Sequence, residues 1–191
     1  MKIEYEATFL DINRKAFSEK LAHAGASLMR PEYMQRRVTF ELHKEKRANT
    51  IWLRVRDEAN KVTLTLKSVE GTTIEGQKEI LITVDNFDNT ISLLEAIGCE
   101  RKSYQESKRE LWSMGDVEVA IDTWPFLETY VEIEGPSEQS VKTIAENLGF
   151  DFQEEIFDTV NAIYKRKYCK TLDELNKDVL KNFTFDIKNP F

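Results

Sequence analysis

The sequence predicts an α+β protein in which a mostly antiparallel sheet carries a few helices. Apolar and polar residues alternate at period two through much of the chain, as in half-buried strands, and between these runs the spacing becomes helical and stops at a glycine. The polar stretch Asp57-Glu58-Ala59-Asn60 supplies turn chemistry between two of the strand-like runs, so those two read as neighbours.

The first element is a strand, with Ile3, Tyr5, Ala7 and Phe9 on one face and Glu4, Glu6 and Thr8 on the other. From Asp11 to Ala24 the residues Ile12, Phe17, Leu21 and Ala24 follow helical spacing, and Gly25 sits where a left-handed cap would end the helix. Val38/Phe40/Leu42, Ile51/Leu53/Val55, Val62/Leu64/Leu66 and Ile80/Ile82/Val84 then supply the apolar faces of a meander. A helix from Asn86 to Ile97 stops at Gly98, and strands resume over 109–112, 117–121 and 130–134. A helix capped by Ser137 ends near Gly149. The tail from about residue 154 reads as one helix through Tyr168 and a second opened by the capping pattern Thr171-x-x-Glu174, with Phe183, Phe185 and Ile187 alternating beyond it. One echo is visible, since Glu4-Tyr5-Glu6 and Glu132-Ile133-Glu134 each precede a helix closed by a glycine.

The 191 residues, 41% hydrophobic, suffice for one domain over 1–191, and no linker divides them. A formal charge of -7 opposes non-specific binding to DNA or to an anionic membrane, so any basic site must be local. Cys99 and Cys169 form no CxxC pair, and His23 and His43 complete no zinc pattern. His23, His43 and Cys99 read as structural residues. With no signal core and no run of about 20 apolar residues, the expected location is the cytoplasm.

Charged residues recur two apart on strands, which puts each pair on one face, opposite the apolar one. The acidic pairs are Glu4/Glu6 and Glu132/Glu134, with Asp122 opposite Val119 and Ile121; the basic set is Arg54/Arg56, Lys67 and Arg109. The ordinary reading is the solvated side of a half-buried sheet. Segregation of the signs argues for the other reading: if the strands close into a barrel with their apolar faces against the helices, these charges line its lumen. Arginine forks grip phosphate oxygens, and carboxylates hold a hard divalent cation.

The chain resembles the CYTH, or triphosphate-tunnel, superfamily, which groups class IV adenylate cyclases with thiamine, inorganic and RNA triphosphatases. Glu4-Tyr5-Glu6-Ala7-Thr8 matches the family's ExExK, Leu53-Arg54-Val55-Arg56 its RxR strand, Leu64-Thr65-Leu66-Lys67 its basic strand end, and Gln77-Lys78-Glu79 its basic-acid strand. Ser107-Lys108-Arg109 stands at its KxR, followed by Asp122 and by Val131-Glu132-Ile133-Glu134-Gly135 for the late ExE. The resemblance implies a closed or nearly closed antiparallel β-barrel with helices packed outside. It implies Mg2+ or Mn2+ held by Glu4, Glu6, Asp122, Glu132 and Glu134, with Glu79 as a helper. A triphosphate-bearing small molecule would be gripped by Arg54, Arg56, Lys67, Arg109 and Lys78. Thr8 and Ser107 depart from the pattern, each replacing a lysine; Lys2, Lys78, Lys102 and Lys108 are candidate substitutes, of which Lys2, a weak one, alone shares the parity of Glu4 on that strand. The segment Thr123-Trp124-Pro125-Phe126-Leu127-Glu128 looks like the Trp-Pro loop of some relatives, with Trp124 as packing anchor or stacking surface. Lys165-Arg166-Lys167 reads as a solvated helix end, or as a lid on the phosphates. A homodimer is left open.

Overall fold

The computed structural model describes residues 1–42, 51–69, 73–152, 160–170 and 182–191. In chain order these form β1 (Lys2–Ile3), β2 (Tyr5–Phe9), α1 (Arg14–His23), β3 (Ser27–Glu41), β4 (Ile51–Asp57), β5 (Val62–Val69), a 3-10 turn (Ile74–Gly76) and β6 (Gln77–Val84). Then come α2 (Phe87–Ala96), β7 (Glu100–Met114), β8 (Val117–Thr123), β9 (Tyr130–Gly135), α3 (Glu138–Asn147), α4 (Val160–Tyr168) and β10 (Asn182–Phe183). His43, the Lys44–Arg47 loop beside it and the capping pattern at Thr171 lie outside the described residues.

One sheet contains all the strands, in the order β1-β6-β5-β4-β3-β7-β8-β9-β2, with β10 added in parallel to β7. Its two ends are β1 and β2, which are successive pieces of one run separated by Glu4 alone. The Glu4 backbone N–H donates to Gln77 at 3.0 Å, while β2 pairs with β9. The N-terminal strand therefore bridges β6 and β9, and the antiparallel sheet curls into a nearly closed barrel.

The helices form where caps and apolar stripes coincide. Asn13, Asn86 and Ser137 accept hydrogen bonds from the N–H groups of Ala16, Asn89 and Ser140, as sequence spacing suggests for helix starts. Gly25, Gly98 and Gly149 all take positive φ, which lets the chain leave each helix in a left-handed turn. Phe17 and Leu21 of α1 and Val141 and Ala145 of α3 pack with Ala7, Phe9, Val119, Ile121, Val131 and Ile133. Phe87, Ile91 and Leu94 of α2 pack with Val38, Phe40 and Val55. The apolar sides of β2, β8 and β9 and of parts of β3 and β4 are thus spent on the helices outside, whereas Ile80 and Ile82 of β6 stay exposed; the charged sides are left to face inward.

Two strands are much longer than their sequence pattern suggests. The spacing predicts strands near Val38 and over 109–112, whereas β3 and β7 each run 15 residues and pair along most of that length. Their extra arms carry polar residues inward and exposed ones such as Met34 outward, so no apolar alternation marks them. Beyond Phe183 the expected strand alternation is not continued, because the Phe185 backbone N–H donates to the Glu106 carboxylate at 3.2 Å.

Candidate functional site

Register sorts the inward face. Cα partners in neighbouring strands share a face, and the pairs run around the barrel as Glu6 with Glu134, Thr8 with Glu132, Tyr130 with Asp122, Asp122 with Arg109 and Arg109 with Tyr33. They continue as Gln35 with Ser107, Arg37 with Arg56, Arg54 with Thr65, and Lys67 with Glu79. The acidic and basic residues singled out from sequence therefore meet on one enclosed surface, with two exceptions. Lys78 lies opposite Ile3 and Ser68, on the other face from Glu79, and Lys2 is exposed at the start of the first strand.

Several of these charges are paired with one another or with a near neighbour. Lys67 contacts Glu4 at 2.8 Å, Arg56 contacts Glu58 at 2.6 Å, and Arg109 donates through Nε to Asp122 at 2.7 Å and also reaches Glu132. Burial opposes the Glu4 carboxylate, but Lys67 outweighs it and holds Glu4 below the ordinary range. Glu132 goes the other way: burial, then the nearby Glu6 and Asp122 charges, push it up to about 8. Burial followed by neighbouring carboxylates also raises Glu134 and Glu79, while for Glu6 burial prevails over Lys67.

Arg37 belongs to this surface although the sequence reading passed it over. Its Nη2 donates to Gln35 at 2.8 Å and to Ser107, and its guanidinium lies over the Trp124 ring at 4.4 Å. Burial and the adjacent Arg56 and Arg54 push Arg37 down to about 9; burial and Arg56 push Arg54 to about 10, so both stay cationic at neutral pH. The parity of Val38 and Phe40, extended two residues back, would have placed Arg37 and Thr39 on the charged face. Tyr130, Thr63 and Thr65 were missed as well, because neutral residues leave no charge pattern.

The informative property of this surface is unsatisfied hydrogen bonding. Among the described residues, Arg37 Nε, Arg54 Nε, Arg56 Nε, the Thr63 and Thr65 hydroxyls and the Tyr130 hydroxyl are buried without a hydrogen-bond partner. Buried donors are normally satisfied, so a concentration of them on one enclosed wall marks a place built for acceptors. Lys167 of the basic run is directed elsewhere, donating to Phe126 O and Glu128 at 2.7 and 2.8 Å. Trp124 is buried in a cluster with Leu127, Tyr130, Ile163, Tyr164 and Phe183, as a packing anchor would be.

The sequence profile of the CYTH domain matches residues 2–164. This chain is a CYTH-domain protein. The CYTH match ends inside α4, so β10 and the segment that follows it lie beyond the matched residues. No curated protein sequence matches the chain significantly. The CYTH barrel is similar to solved structures at low identity. A candidate adenylate cyclase from Vibrio parahaemolyticus superposes with a TM-score of 0.73 at 13% identity, covering 86% of this chain and 98% of that one. A protein from Pyrococcus horikoshii gives 0.69 at 20% identity, covering 82% and 96%. A candidate adenylyl cyclase from Hippeastrum, described as having a dominant triphosphatase activity, gives 0.57 at 16% identity, covering 90% and 98%. These likenesses carry the fold. Among the described residues no helix is long and apolar enough to cross a membrane.

Among the described residues no three acidic, histidine or cysteine side chains converge closely enough to hold a metal ion. The chemistry of the donors nevertheless suits Mg2+ or Mn2+: they are hard carboxylate oxygens, enclosed, and crowded enough with like charge to raise Glu132 and Glu134. Two of them, Asp122 and Glu132, are engaged by Arg109.

Proposed function

We propose that the protein is a metal-dependent enzyme acting on a triphosphate, of the triphosphatase or class IV adenylate cyclase type. The observation that carries this reading is the wall of buried arginine and threonine donors without partners, set across one lumen from a surplus of carboxylates. Arg37, Arg54, Arg56, Lys67 and Arg109 grip the phosphates, the guanidiniums by forked hydrogen bonds. Glu4, Glu6, Asp122, Glu132 and Glu134 hold the cation, with Glu79 beside them. A bound Mg2+ or Mn2+ supplies charge neutralisation on the phosphoryl oxygens and polarises the phosphorus centre.

The chain's own residues then have an exchange to make. Lys67 and Arg109 neutralise the carboxylates that the reading assigns to the cation, so cation and triphosphate each release the other's ligands. Binding of the two is expected to be mutually reinforcing, by the same factor in either direction. Enclosure strengthens every one of these contacts, because water does not screen them.

The family motif's lysine is replaced by Thr8, buried and opposite Glu132. This supports a second reading, a non-catalytic module that binds a nucleotide or polyphosphate. A panel of inorganic triphosphate, thiamine triphosphate and ATP, each with Mg2+ or Mn2+, separates the readings. Orthophosphate release means hydrolysis, cyclic AMP with pyrophosphate means cyclisation, and binding without turnover means the module. Neither product nor binding from any of them would defeat both readings.

A further inference from the structure

We infer that Tyr130, Trp124 and Arg37 form an anion pocket at one end of the lumen that receives the terminal phosphoryl group of the triphosphate. The inference rests on the proposed function and adds the direction in which the substrate lies.

Tyr130 opens β9 opposite Asp122, on the inward face with Glu132, and is 1% exposed. Trp124 follows β8 directly and is 5% exposed, and Arg37, over its ring, is 6% exposed. The Tyr130 hydroxyl, the Trp124 indole N–H and the Arg37 Nε–H are each buried and lack a hydrogen-bond partner among the described residues. Arg37 and Arg109 both act electrostatically on the Tyr130 hydroxyl, so the phenol lies within the field of the cationic wall. A phenol hydroxyl carries a proton to donate, and this one has no acceptor among the described residues.

The same chain satisfies such groups elsewhere. The Trp112 indole N–H donates to Glu110 at 2.7 Å, and the Tyr164 hydroxyl donates to Pro125 O at 2.7 Å. Unsatisfied donors are therefore not a general habit of this fold. An indole N–H and a guanidinium Nε–H can only donate, so what they await is an acceptor.

The chemistry of the pocket selects among the parts of a substrate. A nucleobase or thiamine ring would want acceptors as well as donors, and an apolar slot to enter. Here the apolar side is already filled: Leu127, Ile163, Tyr164 and Phe183 pack behind Tyr130 and Trp124. The loop that carries Trp124 is fixed by Tyr164 on Pro125 and by Tyr168, whose hydroxyl donates to Phe126 O at 2.6 Å. A terminal phosphoryl group offers the largest number of free anionic oxygens on the molecule. It fits a pocket whose unpartnered groups on Tyr130, Trp124 and Arg37 are donors, and the organic substituent then extends toward the opposite end.

The test uses Tyr130→Phe and Trp124→Phe, which remove one donor each and keep an aromatic ring. Affinity with Mg2+ is measured for ATP and for ATP esterified with a methyl group on the terminal phosphoryl. Wild type should prefer ATP by roughly tenfold or more, and each variant should lose a similar factor for ATP but little for the ester, so that the discrimination collapses. A purely structural role would weaken both ligands alike. Discrimination that survives in both variants, while Arg54→Ala abolishes binding of ATP, overturns the pocket and leaves the triphosphate reading standing. Wild type that binds neither ATP nor inorganic triphosphate overturns both.

Discussion

The two faces of the barrel wall assemble nearly the same chemical parts to opposite effect. On the outer face of β7, Glu110 accepts from Arg14 at 2.8 Å, Ser18 at 2.8 Å and the Trp112 indole at 2.7 Å. On the inner face a carboxylate set, arginines, hydroxyl groups and another indole come together, yet several donors have no partner among the described residues. The outer group is a closed account of donors and acceptors and holds α1 against the barrel. The inner group is open, which is a cost to stability that a fold tolerates where a ligand supplies what is missing.

The comparison breaks most sharply at Arg54. Arg54→Met removes a buried guanidinium whose Nε has no partner, so it should cost roughly 100-fold in affinity for inorganic triphosphate. The urea midpoint should change little, since relief of the repulsion from Arg56 and Arg37 offsets the attraction lost to Glu4 and Glu79. Glu110→Ala should do the reverse. It strands Arg14, Ser18 and the Trp112 indole, lowering unfolding free energy by about 3 kcal/mol with triphosphate affinity unchanged. An equal loss of affinity in both variants would erase the distinction.

A pH series sharpens it further. Glu132, raised to about 8 from an ordinary 4.5, binds more protons folded than unfolded between those values. Its contribution is therefore present at pH 4.5 and is lost as pH rises toward 8, and Glu6 and Glu134 act in the same direction. The decline in melting temperature without metal should flatten in Glu132→Gln, and Mg2+ should restore stability at pH 8. The smallest effect belongs to the helix cap: Ser137→Ala should cost about 1 kcal/mol by chemical denaturation and leave binding alone.

How much of this was legible depended on which face a strand shows. Where the outer side meets a helix, as at Ile3 to Phe9 and Val117 to Ile121, apolar alternation announced the strand and its parity placed Glu4, Glu6 and Asp122 inside. Where the outer side is exposed, as along Met34 and Arg36, no alternation survived; Arg37 went unnoticed there, beside a recognised strand. Lys78 illustrates the converse error. It sat in a motif-like triplet, but a residue adjacent to an inward glutamate on a strand must face outward. Tyr130 could not be found from charge at all, and Trp124 was singled out only through its Trp-Pro loop; the missing hydrogen-bond partner of each is revealed by packing alone.

The central claim is that the inward charges form a triphosphate site, and calorimetric titration of the intact chain with inorganic triphosphate and Mg2+ tests it most directly. Binding should be saturable, strengthen when both are present and disappear in Arg54→Met protein that still unfolds cooperatively. Absence of binding in the wild-type chain, or unchanged binding in that variant, would contradict it.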